Sequence, residues 1–175
     1  MYLISIYFDE STNKKLKQYI HQIAKITGNT YMLDYNVPPH ITISSFFSDK
    51  EEPVISMLEK QAEKLKQGYL QWVSVGMFLP NVIYLMPVLN EYLHTMSVGI
   101  YNHLMKLDNV EISRCYRPFQ WIPHTTVGKK LSKEEMAAAF QIIQNQFGVF
   151  DGKVTHIGLA KTNPYQEIVL FELDS

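Results

Sequence analysis

The chain has one cysteine, Cys115, among 175 residues, so no disulfide within it can staple a small, loop-rich fold. Arginine is almost missing: Arg114 and Arg117 are the only two. With 16 Lys+Arg against 17 Asp+Glu the net charge is −1. That balance argues against non-specific binding to long nucleic acids, which needs a visible basic excess, though it leaves room for a short RNA end or a nucleotide. No apolar run is long enough to span a membrane, and the N terminus lacks the charged-then-apolar pattern of a signal segment, so the expected location is cytoplasmic. No histidines, cysteines or carboxylates recur at metal-ligand spacing, so no metal and no cofactor is expected. The first apolar strand runs into Phe8-Asp9-Glu10-Ser11 rather than a glycine-rich phosphate loop, which removes the main support for a dinucleotide fold.

What the chain does contain is one short phrase written twice. Pro39-His40-Ile41-Thr42-Ile43 recurs as Pro123-His124-Thr125-Thr126-Val127, 84 residues later. Both copies lie in segments rich in β-branched residues, which read as strands. Residues two apart on a strand share a face, so each copy presents an imidazole and a hydroxyl side by side. Two such pairs facing each other would suit a phosphodiester. One imidazole takes a proton from the attacking oxygen, the other gives one to the leaving oxygen, and the hydroxyls hold the phosphate oxygens.

The paired His-x-Thr-x pattern resembles the 2H phosphoesterase superfamily, in particular its 2′-5′ RNA ligase-like, RNA cyclic phosphodiesterase branch. The resemblance implies a catalytic set of His40, Thr42, His124 and Thr126; we assign His124 the base's role and His40 the acid's, though the sequence does not distinguish the two. The resemblance also implies hydrolysis of 2′,3′-cyclic phosphates of RNA ends or nucleotides to 2′-phosphates, and the reverse 2′-5′ joining. Two alternatives stand beside it: a cyclic phosphodiesterase for a small metabolite such as ADP-ribose cyclic phosphate, and a nucleotide-binding module with little turnover. The expected partners are such RNA ends or nucleotides, with no membrane and no obligate protein partner, and the chain is expected to be a monomer.

The chain reads as strand, helix, His-x-Thr strand, helix, strand, twice over. The expected fold is therefore α+β: one domain over 1–175, with lobes of roughly 1–80 and 81–175 that can exchange strands. The resemblance adds two antiparallel sheets with outer helices and the motifs meeting across a central cleft. Tyr2 to Phe8 reads as a central strand. A helix follows, capped by Ser11 or Thr12 and stopped by Gly28-Asn29. Residues 29–37 read as a loop or irregular strand. Pro53 starts a second helix ending at Gly68, and Leu70–Leu79 with Val82–Met86 form a hairpin. Asn90 caps the next helix, and Ser132 to Glu135 is a capping box for the last one, with Met136, Phe140, Ile143 and Phe147 inward. Asp108–Gln120 has no regular pattern, and two strands joined through Asn163-Pro164 end the chain.

Around the motifs the candidates for substrate contact are Tyr35, Tyr116 and Phe119, as aromatic faces for a base, and Arg114, Arg117 and Lys129, as cations for phosphate. His21, His94 and His103 read as structural.

Overall fold

The computed structural model describes residues 1–175. Eight strands, all paired antiparallel, make one hydrogen-bonded sheet: β1 (Tyr2–Phe8), β2 (Ile41–Ser48), β3 (Gly68–Phe78), β4 (Val82–Pro87), β5 (Val110–Ile112), β6 (Thr125–Lys129), β7 (Phe150–Lys161) and β8 (Gln166–Glu172). Five helices pack with it: α1 (Glu10–Thr27), α2 (Tyr31–Asp34), α3 (Glu52–Ala62), α4 (Glu91–Leu104) and α5 (Lys133–Gln146). The strand order is β5-β2-β1-β7-β3-β4-β6, and β8 also pairs with β7.

That order shows how the two chain halves combine. β7 is long enough to join both wings: its first residues pair with β3, and its later ones lie between β1 and β8. So β7, from the second half, lies beside β1, while β3, from the first half, lies beside β4. The helices cross as well, α1 packing on α5 and β6, and α4 on β2 and α3.

The two motif strands are fixed by what faces away from the site. Ile41, Ile43 and Val127 are fully buried in the core, each worth about 1.5–3 kcal/mol on burial. A one-residue slip would turn all of them outward, so the register that buries them also aims Thr42 and Thr126 at the opposite face.

Several local expectations are corrected. Asp9, not Ser11 or Thr12, caps α1, its carboxylate accepting from the Thr12 amide at 3.0 Å. Thr12 is buried instead, and its hydroxyl accepts from the Lys153 amide. The segment 29–37 contains α2, started by Thr30 and flanked by the Asn29 carboxamide accepting from the Tyr31 amide. α3 ends at Ala62, and Gly68 opens β3, where the Tyr92 ring occupies the space a side chain would need. On α5 the buried stripe uses Ala139 and Ile142 with Met136 and Ile143, leaving Phe140 exposed. The segment 108–120 holds β5 and a 3-10 turn at Arg114–Tyr116. Elsewhere the caps form as expected: Asn90 accepts from the Leu93 amide, Ser132 and Glu135 close the capping box, and Gly28 ends α1 at φ 76°.

Candidate active site

Each motif histidine sits just before its strand, at the end of a proline-containing approach. His40 Nδ1 lies 2.8 Å from the Pro38 carbonyl oxygen, and His124 Nδ1 lies 2.8 Å from the Ile122 carbonyl oxygen. A carbonyl can only accept, so in both rings Nδ1 carries the hydrogen and Nε2 is left to act. The neutral ring then offers a lone pair at Nε2, and the charged ring a donor at the same atom.

A tyrosine lies beside each imidazole. Tyr7 on β1 is 6.0 Å from His40 between ring centroids, and Tyr84 on β4 is 5.2 Å from His124. Both tyrosine rings use hollows left by glycine. A Cβ on Gly158 would come 3.2 Å from the Tyr7 ring, and one on Gly76 would collide with Tyr84. Each of the two tryptophans braces a motif strand. Trp121 donates its indole N–H to the Thr42 carbonyl at 3.0 Å, and Trp72 donates to the Thr125 hydroxyl at 3.2 Å.

His40, Thr126, Lys129 and Tyr35 line one cavity of about 410 Å³, together with Tyr165 and Lys130. One histidine and the other motif's threonine thus share a wall, which brings the two halves of the chain together at one place. Burial is the main reason that both imidazoles have pKa values below the usual 6.5, and the carbonyl bond on Nδ1 opposes it in each. His40 is lowered further by the nearby charges of His124 and Lys129. No group of three or more His, Cys, Asp or Glu side chains is gathered as metal ligands would be.

The remaining candidates divide. Tyr35 is 54% exposed with its ring 4.5 Å from that of Tyr31. Tyr116 is half-buried, and its hydroxyl lies beside that of Thr42. Burial raises its pKa, and Thr42 partly offsets the rise. Arg114 and Arg117 are exposed, and neither is in an ion pair. Phe119 is 92% exposed at φ 64° with its ring 5.7 Å from His94, and it is not in the cavity wall. His21 and His103 bond back to their own helices, at Lys17 and Gly99.

Sequence reasoning missed Ser5, Tyr7, Phe78, Tyr84 and Lys130. Ser5 had a signal, being the one small hydroxyl in an otherwise apolar and aromatic strand. It pairs in register with Thr42 and donates to the Thr42 hydroxyl at 3.4 Å. Tyr7 and Tyr84 are two aromatic residues among many in the chain, and only the fold sets them beside the histidines.

The family model described as the 2′-5′ RNA ligase superfamily matches residues 14–166. The chain belongs to this family. It is a 2H phosphoesterase of the 2′-5′ RNA ligase-like kind, and its reaction class is phosphodiester chemistry. A candidate phosphoesterase of Bacillus licheniformis is 28% identical over 128 residues, covering 70% of this chain and 69% of its own length. Two solved structures share the fold at TM-score 0.64: E. coli LigT complexed with 3′-AMP, at 16% identity with 99% of this chain and 98% of that one covered, and a Thermus thermophilus protein, at 12% identity with 98% and 97% covered.

Proposed function

We propose that this 2H phosphoesterase hydrolyses 2′,3′-cyclic phosphates of RNA ends or nucleotides, without a metal, to 2′-phosphates. One observation carries the reading: two imidazoles held identically by backbone carbonyls, each with Nε2 free. That arrangement serves two proton transfers about one phosphorus, and it is poorly suited to any step needing only one base. The E. coli LigT structures that share the fold are described as complexes with 3′-AMP, NADP+ and phosphate, which supports a nucleotide phosphate as the ligand class.

In the proposed step a water oxygen attacks phosphorus while one Nε2 removes its proton. The bond from phosphorus to the 3′ oxygen breaks, and that oxygen takes a proton from the other Nε2–H, leaving the 2′-phosphate and a free 3′ hydroxyl. Thr42 and Thr126 hold the non-bridging oxygens. Burial lowers the pKa of both imidazoles, and Lys129 adds a positive neighbour on the His40 side alone. In this reading His124 is the base and His40 the acid. A 5′ hydroxyl in place of water would give 2′-5′ joining by the same transfers.

The test is to incubate purified protein with nucleoside and oligonucleotide 2′,3′-cyclic phosphates in the presence of a strong chelator, and to identify the product isomer. Formation of 2′-phosphates supports the reading. Formation of 3′-phosphates, or no turnover of any cyclic phosphate, overturns it.

A further inference from the structure

The cavity beside His40 holds more than one phosphate needs. Its wall contains two lysines, Lys129 and Lys130, and no aspartate or glutamate. The chain as a whole balances its charges, with 16 basic residues against 17 acidic. The one ion pair in the molecule, Lys161 with Glu51, lies outside this wall. Both cavity lysines therefore face the space without a carboxylate partner.

The two lysines do different things. Lys129 ends β6 and stands near enough to His40 to lower its basicity, so its charge falls at the reacting phosphate. Lys130 has no such effect on either histidine. Its ammonium lies 4.8 Å over the Tyr31 ring, and Tyr31 in turn packs against Tyr35, whose ring is half open to solvent. Lys130 also has a backbone φ of 56°, a conformation that costs a non-glycine residue free energy. The turn is held from both sides: the Asn29 carboxamide donates to the Lys130 carbonyl at 3.1 Å, and the Leu131 amide donates to the Asn81 carbonyl at 3.1 Å. The strained turn thus directs a second cation toward the aromatic end of the cavity.

We infer that Lys130 forms a second anion subsite, which takes a phosphate on the 5′ oxygen of the same nucleotide whose 2′,3′-cyclic phosphate reacts at His40 and Thr126. This deepens the proposed function and rests on it for the chemistry at the first phosphate. The ligand class is a nucleotide with phosphates on both sides of one ribose, its base set against Tyr35. The 5′ phosphate has two sources open to it: a terminal 5′-phosphate, or the linkage to the preceding nucleotide of an RNA end.

Binding of products tests the subsite without relying on turnover. The ligands are adenosine 2′-phosphate, adenosine 2′,5′-bisphosphate, and the dinucleotide ApA carrying a 2′-phosphate, titrated by calorimetry at low and at physiological salt. The wild-type protein should bind at least one of the two 5′-substituted ligands roughly fivefold to tenfold more tightly than the monophosphate, as a partly exposed charge contact allows, and salt should erode the preference. Preference for the dinucleotide identifies the RNA linkage, and preference for the bisphosphate alone identifies a mononucleotide. In Lys130→Gln the ratio should fall to about one, while Lys130→Arg should keep it. Equal affinities in the wild type, or a ratio unchanged in Lys130→Gln, overturn the subsite. Equal affinities with turnover present overturn the subsite and leave the proposed reaction standing, whereas absence of all turnover with the ratio intact sinks the reaction and leaves the subsite.

Discussion

The first and second motifs share a grammar but not a setting. Around Thr42 the site is closed: the residue is only 6% exposed, Ser5 donates to its hydroxyl, the Tyr116 hydroxyl lies beside it, and Trp121 holds its carbonyl. Tyr7, behind His40, is linked to the Tyr165 hydroxyl at 3.2 Å, so hydroxyl groups run from the cavity wall toward the first motif. Around His124 the site is aromatic: the Phe78 ring meets the imidazole edge-on at 4.8 Å, with Tyr84 on another side, and Thr126 is open to the cavity. The two motifs offer equal parts, and their neighbours make them unequal. A two-proton mechanism needs one imidazole neutral while the other is charged, and unequal settings favour one such arrangement over its mirror image.

The harshest way to break the comparison is to remove one imidazole at a time. His40→Ala and His124→Ala should each lower turnover of a confirmed cyclic phosphate by roughly 10²-fold or more, by the usual worth of a general acid or base. Near-wild-type turnover in either variant would end the two-histidine mechanism.

The threonines sharpen it. Thr42→Ala and Thr126→Ala should each cost roughly 10-fold through a lost hydrogen bond to phosphate. Ser5 donates its hydrogen to Thr42, which leaves the Thr42 hydrogen for the phosphate. Ser5→Ala should therefore slow the reaction, and should add almost nothing in a Thr42→Ala background. Independent, additive losses in the double variant would deny the link.

The pH profile should show both histidines. Since both have pKa values below 6.5, the bell of kcat/KM for the free enzyme should centre on the acidic side of that value. Lys129→Gln removes a positive neighbour of His40, so its pKa rises and one limb should move to higher pH, with the other nearly fixed. A profile that shifts as a whole, or not at all, would contradict the unequal settings.

The smallest effect is on stability. A histidine whose folded pKa is lowered binds fewer protons when folded than when unfolded. The stability tied to keeping it neutral is complete above about 6.5 and is lost as pH falls from there through the folded values. Urea midpoints should fall over that window, and less steeply in a His124→Asn variant than in the wild type. An equal slope in both would show that His124 is not buried as a neutral ring.

Much of this was readable from the chain because it depends on local pattern. The two motif strands, the capping box at Ser132 and the Gly28 stop follow from periodicity and from short-range hydrogen bonding, which a sequence displays directly. The cap at Asp9 was misplaced because Asp9, Ser11 and Thr12 are all competent caps, and the buried contact of Thr12 with Lys153 decided among them. Apolar spacing alone puts Phe140 in the core, because it cannot tell which side of a stripe has a partner.

The amino-acid sequence by itself determined that two imidazole–hydroxyl pairs would stand at the entrances of two strands, each histidine one residue ahead of its strand, since alternation is a property of any extended chain. The tertiary structure alone decided what surrounds each pair. Tyr7 and Gly158, or Tyr84 and Gly76, come together only when β7 pairs with β1 and β3 with β4. The β3–β4 hairpin is local, but the pairings of β7 with β1 and of β6 with β4 join distant segments and lie in no local pattern, and they set the burial and the neighbouring charge that make His40 and His124 different.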